Sequence, residues 1–362
     1  MEVMWRFFGA IRIPIVFYAV SALAFSSGPY REALPGYAFA FPRDHFEHQD
    51  FKTEWWYYTG NVWSRDGRRF GFELVFFRVG ERLGSDLNPS TWRVHDVYLA
   101  NAALTDLDAR HFFYQERFNR AGPGIAGASF AERRVWNGNW SAVWNGERQT
   151  LSALTSDFAF HLECSPTKPL VIHGENGVSQ KGAGAGEASH YISFPRLAVN
   201  GSIRSSGRNF EVSGQAWMDH EWFTHQLEPA QTGWDWFSVQ VDNTTELMLY
   251  ELRRRDGGRD PNSSGTFIDA SGRAQHLTSG DFTLKPLDWW RSRRTGARYP
   301  VRWSLSIPKL HLQLECRAKL ADQELDAMRG AKYWEGAVDY SGSARGVGYL
   351  EMTGYDGALK MD

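Results

Sequence analysis

Residues 214–236 read G-Q-A-W-M-D-H-E-W-F-T-H-Q-L-E-P-A-Q-T-G-W-D-W. Asp219, Glu221 and Asp235 stand there among Trp217, Trp222, Trp234 and Trp236, with His220 and His225 between them. Aromatic side chains exclude water, and a dehydrated carboxyl group keeps its proton to higher pH. A neutral carboxylic acid against ring faces can protonate groups that water cannot. The same pattern also suits a half-buried strand and turn whose acids face solvent. If 210–222 is a strand, residues two apart share a face. Trp217, Asp219 and Glu221 then lie together, with Glu211, Ser213 and Gln215 behind them. Phe210, Val212, Ala216, Met218 and Trp222 take the other face. The more polar face, which carries Asp219, either lines a cavity or meets water. Glu221 and Asp235 are candidate supporting acids that raise the proton affinity of Asp219 by like-charge repulsion.

The run H-E-W-F-T-H (220–225) resembles the zinc signature H-E-x-x-H but is one residue too long. The signature needs both histidines on one helical face. Five residues apart they are about 140° apart on a helix and on opposite faces of a strand. No metal site is expected. There is no P-loop and no dinucleotide fingerprint either, so no cofactor is expected.

The elements that must position these residues read as strands. E-W-W-Y-Y-T-G-N-V (54–62) and R-F-G-F-E-L-V-F-F-R (69–78) flank the hairpin turn Arg65-Asp66-Gly67. Further strands are expected at 97–106, 111–118, 234–241 and 246–253, with clean alternation at 158–164 and more short strands in 266–357; 136–146 holds three Trp with N-G turns on either side. Gly174 to Gly186 is a loop that either covers a site or only connects. The segment A-D-Q-E-L-D-A-M (321–328) alone has helical composition. Three strand sequences recur in order: E-L-V-F-F-R (73–78) as E-L-M-L-Y-E-L-R (246–253), F-H-L-E-C (160–164) as L-Q-L-E-C (312–316), and G-Q-A-W-M-D (214–219) as G-V-G-Y-L-E (346–351). They suggest two diverged copies of one antiparallel β domain, and so an all-β barrel or sandwich architecture.

The chain has 362 residues, 40 basic and 42 acidic side chains, and 16 Trp, 14 Tyr and 24 Phe. No dominant basic field points to nucleic acid. Arg6 and Arg12 precede the apolar run 13–25, with Ala22-Leu23-Ala24 as a cleavage site. Residues 1–24 therefore read as a signal peptide and the protein as exported, periplasmic or secreted, with an uncleaved anchor as the alternative. Cys164 and Cys316 sit in equivalent strands of the two copies and are expected as separate buried thiols, an inter-domain disulfide being the alternative.

E-W-W-Y-Y-T-G (54–60), H-Y-I-S-F-P-R (190–196), W-M-D-H-E-W (217–222), G-W-D-W-F-S (233–238) and Y-W-E-G-A-V (333–338) together resemble the AttH family, described as secreted hydrolases and related to the carotenoid 1,2-hydratases. The resemblance runs from about residue 40 to the end. It implies two tandem lipocalin-like antiparallel β-barrel domains, 40–228 and 229–362. The hydratases add water across an isolated alkene of an acyclic carotenoid. That reaction needs a neutral acid, ring faces to steady a tertiary cation, and a group that takes a proton from water. By resemblance, Asp219 is the acid and His190, 29 residues upstream, its partner or the group that orients water. The hydratases carry Tyr at the position of Trp217 and Trp at that of Ile192. Tyr191, Trp222, Trp234 and Trp236 are the aromatics available to substitute. The expected partner is an apolar isoprenoid, polyene or lipid, with association at a membrane surface left open. Three functions follow: a hydratase, a lipid or polyene carrier of the cell envelope, and an esterase lacking G-x-S-x-G.

Overall fold

The computed structural model describes residues 30–81, 94–225, 227–326 and 332–359. The expected signal peptide lies outside them. Among the described residues no helix is long and apolar enough to cross a membrane.

The first sheet comprises β1 (Thr53–Ser64), β2 (Arg69–Gly80), β3 (Asp96–Asp106), β4 (His111–Arg120), β5 (Ala126–Ser129), β6 (Arg134–Asn137), β7 (Trp140–Asn145), β8 (Arg148–Leu154), β9 (Phe158–Pro166), β10 (Val171–Ile172), β11 (Ser179–Gln180), β12 (Ala188–Ser205) and β13 (Arg208–Phe223). Its order is β4-β3-β2-β1-β13-β12-β9-β8-β7-β6-β5, with β10 and β11 pairing β12. A bridge between Ala121 and Ala126 and a 2.6 Å bond from Asn119 to Asn137 bring its two ends together. The barrel is nearly closed.

The second sheet comprises β14 (Gln231–Val241), β15 (Glu246–Arg254), β16 (Ser264–Ile268), β17 (Ala274–Leu277), β18 (Thr283–Arg291), β19 (Arg298–Ile307), β20 (Leu312–Ala318), β21 (Glu324–Leu325), β22 (Tyr333–Gly342) and β23 (Gly346–Thr353). Its order is β17-β16-β15-β14-β23-β22-β20-β19-β18, an open half-barrel. The two orders match strand for strand from β14 against β1. The three repeated sequences fall on matching strands: β2 with β15, β9 with β20, β13 with β23. The all-β, two-barrel expectation therefore holds.

Strand alternation builds each core. Phe210, Val212, Ala216 and Met218 of β13 point into the first barrel beside Trp56, Tyr58, Phe72 and Leu74. Phe237, Val239, Leu249, Trp334 and Leu350 fill the second. Cys164 and Cys316 are free buried thiols, one in each core. The outer faces are not left to water. Trp55, Tyr57, Val75, Tyr191 and Trp217 pack against Trp236, Met248, Tyr250, Ile268 and Tyr349 in one cluster shared by both sheets. That is why β1, the first barrel's central strand, is buried on both faces.

Local geometry sets the register of the pair that matters most. Ser206 and Gly207 both have positive φ, 48° and 78°, the conformation of a tight hairpin turn matched to strand twist. The turn pairs Ser205 with Arg208 and, further along, Ser193 with Asp219 and Tyr191 with Glu221. A bulge between Phe194 and Leu197 shifts the alternation at Pro195, which has no N–H to give the ladder.

The helical expectation at 321–328 is corrected. Residues 324–325 form β21 on β22, and 327–331 lie outside the described residues. Glu324 accepts bonds from Ser292 and Thr295, and the Gln323 carbonyl accepts from Glu335 N–H. These tertiary bonds outweigh a weak helical propensity.

Candidate active site

Asp219 projects from the outer face of β13 into the layer between the barrels and is 3% exposed. Three donors converge on it. Tyr191 O–H reaches it at 2.6 Å, Trp217 Nε1–H at 2.5 Å, and Ser193 O–H makes a short bond. Each donor has its own support. Trp236 Nε1–H donates to the Tyr191 hydroxyl at 3.0 Å, across the seam from the second sheet. His173 Nε2 lies 2.6 Å from Ser193 Oγ, and its Nδ1 lies 2.8 Å from Thr266 Oγ1, again across the seam. With Ser193 donating to Asp219, His173 donates to Ser193 and accepts from Thr266. Both chains of donors therefore end on one carboxyl group.

Burial pushes the Asp219 carboxyl up to about 7, against the pull of the bonds from Ser193, Tyr191 and Trp217; the charge of Glu221 adds to the rise. Burial holds His173 down at about 3, so it stays neutral and acts as a hydrogen-bond relay. Glu221 is two residues along the same face. Ser189 donates to it at 2.5 Å, and the buried Lys181 Nζ lies 3.7 Å away, over the ring of Tyr250. Burial raises its proton affinity and Lys181 opposes the rise. Both His173 and Lys181 come from the segment around the Gly-rich loop, which thus packs on the site.

Several expected residues lie elsewhere. His190 shares with Ile192 the face of β12 opposite to Tyr191, at the barrel end. Its Nδ1 meets the Gly177 carbonyl at 2.8 Å and its ring lies 4.4 Å from Tyr37. It makes no bond to Asp219, and His173 holds the relay position instead. Trp222 also faces the barrel end, stacked on His48 at 3.9 Å. Asp235 lies on the opposite face of β14 from Trp236, 3.0 Å from Arg253 and from the Tyr355 hydroxyl. Strand alternation separates each of these from its neighbours at the site. Trp234 stands at the edge of the site, 6.3 Å from Trp55 and hydrogen-bonded to Glu351. Trp217, Tyr191, Trp236 and Glu221 lie around Asp219 at the seam. His225 is exposed.

Reading the residues missed Ser193, His173, Tyr57 and Glu351. Period-two spacing from Tyr191 marks Ser193. The repeat offset marks Glu351. Nothing local marks His173, which sits beside the two-residue strand β10.

Among the described residues, His48, Glu54 and His220 could hold a metal, with ligand atoms within 4.8 Å of one another. They lie at the end of the first barrel, away from Asp219. Glu54 there bonds His48 Nδ1 at 2.6 Å, His220 Nε2 at 2.8 Å and Arg78 at 3.1 Å. Arg78 already supplies the positive charge, so the group reads as an ion network. It anchors the lead segment, since Arg78 also bonds the carbonyls of His48 and Phe51.

The comparisons agree with this architecture. The AttH-like family profile matches residues 32–355. A protein assigned as an AttH from Nitrosomonas europaea is 35% identical, covers 90% of this chain and 99% of its own, and superposes with a TM-score of 0.82. Kievitone hydratase from Nectria haematococca shares the fold at 15% identity and a TM-score of 0.66, over 90% of this chain and 97% of its own. No curated protein matches. Two tandem barrels with the family motifs at their seam make the chain a member of the AttH-like family.

Proposed function

We propose that the protein is an exported hydratase-type enzyme acting on an apolar, isoprenoid-like alkene held between the barrels. One observation carries this reading: a buried carboxyl poised near neutrality among Trp217, Trp236 and Tyr191. Neutral Asp219 gives its proton to the less substituted alkene carbon, and the π pair becomes the new C–H bond. The tertiary cation left behind is steadied by the ring faces. Water adds through oxygen, forming the C–O bond, and its surplus proton returns to a carboxylate of the site. The kinship with a fold that includes kievitone hydratase supports the reaction class. The N-terminal pattern at 1–24 supports export.

The test begins with the protein purified from its native host. Solvent extraction and mass spectrometry identify the bound class. Turnover of that compound in H2(18)O then reports C–O bond formation. Wild type should incorporate label and Asp219→Asn should not, while still binding. Binding without incorporation in either protein would make it a carrier. Covalent labelling by a fluorophosphonate would make it an esterase.

A further inference from the structure

The repeat that places 214–219 over 346–351 places Asp219 over Glu351. The ladders confirm the match. Tyr57 stands opposite Asp219 between β1 and β13, and Trp236 stands opposite Glu351 between β14 and β23. These are the same cross-strand pair in two barrels, on the two faces that meet. The Tyr57 ring lies 5.3 Å from Trp236 at 82°, and Trp236 lies 6.2 Å from Trp217 at 78°. Trp236 thus adjoins Glu351 on its own sheet and bonds the tyrosine that bonds Asp219.

Glu351 differs from its surroundings. Asp219, Glu221, Glu335 and Glu73 are all buried, whereas Glu351 keeps accessible surface although protein encloses it. Trp234 and Phe77 are half-buried beside Trp55 in the same way. Side chains do this where they face a narrow crevice. Deeper in the seam Thr59 Oγ1 is buried without a partner, and the buried Glu73 and Glu335 carboxyl groups hydrogen-bond each other. Glu335 stands opposite Glu351 in the ladder of β22 and β23. Its other oxygen takes a short bond from Tyr57, and Glu73 takes one from Tyr333 at 2.7 Å.

We propose that Glu351 is a second acid–base residue of this crevice, the counterpart of Asp219 supplied by the other barrel, with one carboxyl on each side of the bound alkene. The inference rests on the hydratase-type reading. Its chemical role follows from its neighbours. Asp219 accepts from three donors, which favours its charged form. Glu351 accepts from Trp234 and faces the charges of Glu73, Glu221 and Asp219; burial, the larger cause, and those charges push it up to about 8. A neutral carboxyl group can take a proton on its carbonyl oxygen while losing one from its hydroxyl. After Asp219 has protonated the alkene, water adds to the cation. The surplus proton of that water bonds to the Glu351 carbonyl oxygen, and the Glu351 hydroxyl proton passes to the Asp219 carboxylate, directly or through a water. Glu351 ends neutral, Asp219 is reloaded, and no other co-reactant is needed.

Infrared and 13C NMR spectra of protein carrying 13C-carboxyl glutamate test the pairing without any substrate. The Glu351 signal, identified by its loss in Glu351→Gln, should be that of a neutral acid at pH 7. Its titration should move to lower pH in Asp219→Asn, which removes the neighbouring charge. A charged Glu351 at pH 7, or a titration indifferent to Asp219→Asn, overturns the inference. With the extracted alkene as substrate, Glu351→Gln should slow 18O incorporation by about 100-fold, and Glu351→Asp should restore part of it. Unchanged turnover in Glu351→Gln overturns the catalytic role. Wild type that hydrates no alkene, with the titrations as expected, would remove the hydratase reading and leave the carboxyl pair standing.

Discussion

At the scale of the residue, the competition at Asp219 is between a dry site and three donors. Removing one donor shifts the balance. Tyr191→Phe deletes the 2.6 Å bond to Asp219, and a hydrogen bond to a charged acceptor is worth about 1.5–3 kcal/mol. The Asp219 carboxyl should then titrate above about 7, and carboxyl NMR reads this directly; an unmoved midpoint would contradict the assignment. The two histidines offer a contrast. His190 packs against Tyr37, Phe39 and Trp222 and bonds the Gly177 carbonyl. His190→Gln should lower the melting temperature while turnover stays within about 3-fold, well short of the 10²-fold or more expected for losing a general acid. A 100-fold loss in folded His190→Gln would return it to the site.

At the scale of the element, β12 decides most of the geometry. Its pleat sends Tyr191 and Ser193 to the seam and His190 and Ile192 to the opposite face, where the lead segment packs at the barrel end. The loop before it brings His173 and Lys181. Gly174 has φ +78°, and a Cβ there would sit 1.9 Å from the Val178 carbonyl oxygen. Gly174→Ala must therefore distort the loop, at a cost of about 1–3 kcal/mol. Faster amide exchange across 174–187 and weaker ligand retention are expected in that variant. Wild-type exchange rates would mean that the loop tolerates the strain, and the loop would then not fix His173.

At the scale of the whole molecule, the seam stores acids and the barrel end stores an ion network. Burial raises the folded-state proton affinity at the seam, and neighbouring charge adds to it at Asp219, Glu351 and Glu335. The Asp219 and Glu73 carboxyls are pushed up to about 7, Glu351 to about 8, and Glu335 well above the usual carboxylate range. A carboxyl with a raised value contributes stability that is fully present below its unfolded pKa, about 4. That contribution is lost as pH rises through the folded value. Glu54 is opposite in sign. Burial alone would raise it, but His48, His220 and Arg78 hold it well below the usual range. Its stability is present above the unfolded pKa and lost only in strong acid. The melting temperature should therefore fall between pH 5.5 and 8.5, and Glu73→Gln should reduce that fall. A melting temperature that rises over this interval would refute the charge arrangement.

Period-two patterning, paired turn residues and three repeated strand sequences suffice for two antiparallel β barrels, because alternation and turn chemistry are local. They also place Trp217, Asp219 and Glu221 on one face. What covers that face is a long-range matter. The outer face of an antiparallel barrel ordinarily meets water, and here the second barrel makes it dry. Only that docking pushes the Asp219 carboxyl towards neutrality, brings Trp236 and Thr266 to the ends of its donor chains, and sets Glu351 across from it. Asp235 and Trp222 stay away from it on the opposite faces of their strands. Their nearness in sequence carries no weight against the pleat, which sends adjacent residues to opposite faces.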